Sequence, residues 1–315
     1  MAIISSSVNP SSIVKRAAQI LKESLQGFIK DDCMRMSAAL AYYSAFSMAP
    51  LLLIAVSVGG AFYGEAAVGG VLDVELRKAM GPTSAALLQD LVANARKPAD
   101  NLLMSLSGFV LLLLGAAGLF GQLQAALNTI WEVGQPPTRG LRRFIGNYLL
   151  SFSMVMVTGL MLLVSMILTA VLQALSERLG EIAGIPLPAW AAGSGVLSFG
   201  VTALMFAAIF KILPNTPIQW REVWVGALFT AALFVVGKSA IGWYLGRAAT
   251  ASSYGTAGSF VVILMWLYYS SMILLFGAEF AEVCGRRMTS SDGPDAGTPR
   301  HSALTDPHAQ SVPPA

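Results

Sequence analysis

Histidine is almost missing from this chain: both copies, His301 and His308, fall in a polar C-terminal stretch beyond the last apolar run. The apolar body therefore has no imidazole for acid–base work or for a metal site with His/Cys spacing. Cysteine is as scarce. Cys33 and Cys284 each stand beside the end of an apolar run, which excludes a disulfide-stapled secreted fold and leaves reduced thiols as the expectation. Charge is thin as well, 12% of residues against 55% apolar, the balance of a protein whose solvent is lipid. The net charge of +3 is spread over the flanks of apolar runs with no contiguous basic stripe, so nucleic acid is not an expected partner. There is no Gly-Lys-Ser/Thr loop to cradle phosphates, which argues against a nucleotide-driven pump. Serine is abundant, but no histidine within the apolar body can activate it. The expectation is a protein without cofactor or metal and without enzymatic activity.

What is present is length in apolar runs. Six stretches, at about 37–62, 102–124, 145–172, 190–211, 222–245 and 256–281, meet the roughly 20 residues a helix needs to cross a bilayer. They are too long and too continuously apolar for barrel strands, so an all-α polytopic membrane protein with a six-helix transmembrane bundle over 37–287 is predicted. Arg35, Arg139, Arg142, Arg143, Lys211, Arg221, Arg286 and Arg287 fall on one side of these runs. With the N-terminal lysines they place both termini in the cytoplasm. The first 30 residues lack a continuous apolar core with a small-residue cleavage site, so the N-terminus is expected to be retained.

Three flanking elements complete the organisation. After a short disordered start over 1–10, residues 11–30 carry Val14, Ala17, Ala18, Leu21, Leu25 and Phe28 at helical spacing, with Lys15, Arg16, Lys22 and Glu23 on the other face. This is an amphipathic helix, lying on the cytoplasmic surface of the bilayer or packed against the bundle's own end. The segment GPTSAALLQDLVANARKP predicts a short extracytoplasmic helix. Residues 288–315, rich in Ser, Asp, Pro and Gly, are expected to be a disordered cytoplasmic tail.

Polar residues inside the runs are the candidates for function. AYYSAFSMAP places Tyr42, Tyr43, Ser47 and Pro50 in the first span, where proline should kink the helix and free the carbonyl of Phe46. A second Tyr-Tyr-Ser, beginning at Tyr268 and Tyr269, lies in the last span. Tyr268 shares its helical face with Glu279, an acid at membrane depth. An ion pair between Glu279 and Arg35 would latch the first and last spans together. From that level the two tyrosine pairs lie about 11 and 16 Å deeper, close enough to line one pocket. Gln122 and Asn128 in the second span are either cavity residues or interhelical hydrogen-bond partners. For all of these, helix packing alone competes with a binding or gating role.

RMSAALAYYSAFSMAPLLLIAVS, ALNTIWEV, KILPNTPIQWREVWVGAL and YGTAGSFVVILMWLYYSSMILLFGAEFAEVCGRR, in this order across about residues 20–287, together resemble the YihY/BrkB family of bacterial inner-membrane proteins. The resemblance implies six transmembrane helices, a bacterial cytoplasmic membrane and an association with envelope integrity or serum resistance. Some members have carried the label ribonuclease BN. Such ribonucleases need a metal cluster or catalytic histidines and a basic RNA surface, none of which this sequence offers. The leading expectation is a transporter or flippase-like protein for a small or lipidic envelope component, with the bilayer as its main partner. A non-transporting scaffold is the rival and an intramembrane enzyme the third reading. Homo-oligomerisation is left open.

Overall fold

In the computed structural model the described residues are 10–63, 82–95, 118–133, 187–248 and 255–291, with short helical pieces between 69 and 77. Among them every regular element is a helix and no strand occurs. We label these α1 (Pro10–Lys30), α2 (Cys33–Tyr63), α3 (Pro82–Ala95), α4 (helical over 118–130), α5 (Leu187–Ile212), α6 (Trp220–Ala248) and α7 (Gly255–Ser291). Among the described residues two stretches are long and apolar enough to cross a bilayer, Trp220–Ile241 in α6 and Gly258–Thr289 in α7. α2 and α5 coincide with two further expected spans, and α4 with the end of another. The expected span over 145–172, the start of the one over 102–124 and most of the polar tail lie outside the described residues.

Local signals account for the helix ends. α1 begins at a proline, whose fixed φ suits the first helical position and whose missing N–H costs nothing there. It is joined to α2 by Asp31 and Asp32 alone. Asp32 has φ 53°, the left-handed conformation that a short polar side chain tolerates. α4 closes with Glu132 at φ 48°, while Val133 N–H reaches Asn128 O at 2.8 Å and Glu132 N–H reaches Thr129 O at 3.0 Å. This paired closure satisfies carbonyls that the helix end would otherwise leave open. α7 runs about ten residues past the expected end of its apolar run, into the segment read as tail. An i,i+4 pair at 3.2 Å between Arg286 and Glu282, and the docking of α1, support that extension.

α7 is the hub: α1, α2, α3 and α6 all pack on it, and α5 packs on α6. α2 runs antiparallel to α7, because Cys33 meets Glu279 at one end while Met48 and Leu52 join Ile263 and Trp266 at the other. α6 is likewise antiparallel to α7. A Cβ added to Gly226 would collide with Ala281, one added to Gly277 with Thr230, and one added to Gly285 with Glu222. Small residues here let two backbones approach closely, which in lipid stands in for the hydrophobic drive that water supplies elsewhere. The main apolar cluster draws Phe28, Leu40, Leu127, Phe206, Phe210, Val223 and Leu275 from six helices. α3 lies over the other end, where Leu88 packs with Ile263 and Trp266 and the Ser84 hydroxyl donates to Ser259 O at 3.4 Å.

Candidate functional site

The polar centre of the fold is the Glu279 carboxyl group, 3% exposed within the apolar stretch of α7. α1 covers it with Gly27, at which any side chain would collide with the carboxyl oxygens. The Cys33 thiol, fully buried at the start of α2, donates to Glu279 Oε1 at 3.5 Å. The Asp31 carboxyl group, in the link between α1 and α2, interacts electrostatically with Glu279. Two carboxyl groups that interact this way each make the other costlier to ionise. Burial pushes the Asp31 carboxyl above the usual carboxylate range, against the pull of neighbouring Lys30.

The expected latch between Arg35 and Glu279 does not form. Arg35 is 82% exposed at its side chain and pairs with Asp32 at 3.1 Å. The left-handed turn at Asp32 brings Asp31 and Cys33, rather than Arg35, to the buried face. The cations of this end are used around the periphery. Lys30 bonds Glu132 at 3.2 Å, tying α1 to the end of α4, and that hydrogen bond leads the upward shift of the ammonium pKa. Arg287 grips both oxygens of Glu23, its Nε at 3.0 Å, which holds the Glu23 carboxyl below the usual range.

Extrapolating the α2–α7 register puts the two Tyr-Tyr pairs at about one depth, but they serve different interfaces. Tyr43 lies on Gly118 of α4, where a Cβ would come within 2.8 Å of its ring. Tyr269 lies on Gly237 of α6, at 2.6 Å by the same measure. Tyr42 is exposed and stacks edge-on with Tyr43, ring centroids 5.6 Å apart. The Ser47 hydroxyl donates to Tyr43 O at 2.8 Å, one turn back along its own helix, rather than to the carbonyl of Phe46. Pro50 lies within α2, which is helical on both sides of it.

In α4 the buried amide is Gln124, not Gln122, which is half-buried. Gln124 Nε2 donates to Leu213 O at 3.0 Å, and Asn128 Oδ1 accepts from Asn215 N–H at 2.9 Å. Together they clamp the α5–α6 loop, which Lys211 braces through Ile218 O and the Trp220 ring, 5.2 Å away. Asn128 is therefore a loop ligand in this fold. Ser24, Ser47, Thr202, Thr230 and Ser239 each bond the carbonyl four residues back, whereas the buried Ser37 Oγ, one turn beyond Cys33, has no hydrogen-bond partner. Gly27, Asp31 and Cys33 were missed from sequence. Their signal was an acid pair and a thiol directly before the first span.

No group of three or more His, Cys, Asp or Glu side chains is placed to hold a metal among the described residues. Apolar helices packed through glycines, with a buried carboxyl group at one end, define the chain as an α-helical membrane protein. Its family follows from the sequence match: the model described as "Virulence factor BrkB" covers residues 24–302, and the chain belongs to that family. Similar proteins include a UPF0761 membrane protein of Methylibium petroleiphilum, 29% identical over 83% of this chain and 61% of its own length. Another, from Alkalilimnicola ehrlichii, is 25% identical over 87% of this chain and 64% of its own. A third, from Pseudomonas aeruginosa, is 26% identical over 80% and 59%. The chain thus spans about three-fifths of the length of these relatives. No solved structure matches it.

Proposed function

We propose that this protein is a six-span, non-enzymatic bundle of the bacterial cytoplasmic membrane, with both termini in the cytoplasm, that moves a lipidic component of the envelope between leaflets. The observation that carries the reading is the buried Glu279 carboxyl group, set against Asp31 and the Cys33 thiol rather than a guanidinium. An ionisable group at membrane depth is costly, and proteins keep such groups mainly where they move protons, ions or substrate. Here the carboxyl group lies where α1, α2 and α7 meet. Gain or loss of one proton would change the hydrogen bonds joining α1 and α2 to the hub. The unpartnered Ser37 hydroxyl on the same stretch of α2 gives a displaced helix a polar contact to gain.

The exposed Tyr42 and Phe46 rings, 4.8 Å apart at their centroids, give α2 an aromatic outer surface suited to acyl chains and headgroups. Tyr43, edge-on to Tyr42, supports it. The scaffold reading draws on the internal bonds of Ser47, Gln124 and Asn128, which spend these polar groups on holding the helices and the α5–α6 loop together.

The test is transfer of fluorescent phospholipid between leaflets of proteoliposomes holding the purified full chain. Transfer should fall at least tenfold with Glu279→Leu and with Tyr42→Ala/Tyr43→Ala, and Glu279→Gln should remove its dependence on pH. Lipid transfer no faster than in protein-free vesicles, from a folded and correctly inserted chain, would leave the scaffold reading standing.

A further inference from the structure

Among the described residues α1 packs one face on α7 and ties Glu23 and Lys30 on its polar side to Arg287 and Glu132, which leaves a third, apolar face open. Ser24, Gly27 and Phe28 turn toward α7, with Phe28 meeting Phe276 at a centroid distance of 5.8 Å. Val14, Ala18, Leu21, Leu25 and Ile29 fall within about 80° of one another at roughly 100° per residue, and form a separate stripe. That stripe is open along its length, with exposures from 46% at Leu21 to 67% at Val14. Met34, just past the turn into α2, extends it at 57%. On the side away from α7 the stripe is bordered by Lys15 and Lys22, both exposed. The helix's single acid, Glu23, is already occupied by Arg287.

We infer that α1 is a membrane-surface anchor, whose apolar stripe beds into the bilayer at the entry of α2 while Lys15 and Lys22 reach anionic phospholipid headgroups. An apolar face edged with lysines is the pattern that lies in a headgroup layer, the long side chains keeping their charge in water over buried stems. The two-residue link fixes the end of α1 beside the start of an apolar helix. A second copy of the chain would match the apolar stripe but bring like charges from both copies together. An anionic leaflet satisfies both features.

Leu21→Cys, Leu25→Cys and, on the polar face, Gln26→Cys would each be labelled with an environment-sensitive fluorophore in the full chain. The unsubstituted chain, whose Cys33 and Cys284 are buried, serves as background. The proteins are placed in vesicles of phosphatidylcholine alone or mixed with phosphatidylglycerol. Lipid-borne quenchers should darken positions 21 and 25 several-fold more than position 26. Changing Lys15 or Lys22 to Gln should loosen docking about fivefold per lysine in the anionic vesicles only. Equal quenching at all three positions overturns the proposal. So does distance-dependent coupling between copies labelled at position 21 that vanishes on dilution with unlabelled protein, because the occupant would then be a second copy.

Discussion

Glu279 shows how burial and function separate at a single residue. A buried carboxyl group with no cation against it carries a desolvation cost that a leucine of similar volume does not. Glu279→Leu should therefore keep or raise the melting temperature of the detergent-solubilised protein while abolishing lipid transfer. A large loss of thermal stability would mark the carboxyl group as structural. Arg35→Gln should leave stability near wild type in the same melting experiment, since its partner Asp32 and its own side chain are both largely in water. The sequence made Glu279 visible as an acid at membrane depth. It did not reveal the partner, because charge alone favoured Arg35 and a left-handed Asp32 is a backbone event with no periodic signature. The same limit separated Gln122 from Gln124: two residues apart on a helix, they point to different sides, and only packing says which side is the interior.

At the level of elements, the contact between α6 and α7 is set by the absence of side chains. Gly226→Leu or Gly277→Leu must push one backbone away from the other and should each cost about 1–3 kcal/mol, measured by thermal or chemical unfolding in detergent. Gly121→Ala is the control, since nothing lies within 4 Å of the added Cβ. It should fall within about 0.5 kcal/mol of wild type or gain slightly from helix propensity. Gln124→Leu strands the Leu213 carbonyl and should cost about 1–3 kcal/mol, with faster proteolysis of the α5–α6 loop. Docking of α1 has an acid limit. The Glu23 carboxyl is held below its ordinary range, so its contribution is complete at neutral pH, persists down to that range, and is lost as pH falls through the lowered value. Protease release of α1 should rise on acidification, and Glu23→Gln should flatten that dependence. Helix positions were readable because apolar periodicity and length are local properties. The use of each face was not: Tyr43 and Tyr269 occupy matching tripeptides yet lie on glycines of different helices, a pairing fixed only when the helices assemble.

For the molecule as a whole, the all-helical architecture of the described residues and membership of the BrkB family agree with what composition and motif order imply. Among the described residues α7 packs against α1, α2, α3 and α6, which explains why the last apolar run carries so many small and polar residues. The short link at Asp31–Asp32 has a mechanical consequence. With two residues between them, α1 and α2 form one bent lever whose elbow rests on Glu279, so the bend cannot alter without shifting the thiol and both carboxyl groups. If α1 is gripped by the bilayer surface and the turn by the hub, sideways tension in the leaflet would be felt first at the elbow. A change in bilayer tension or thickness should then alter the reactivity of Cys33 toward a thiol reagent more than that of Cys284. Labelling both cysteines in vesicles of short- and long-chain lipids would measure it.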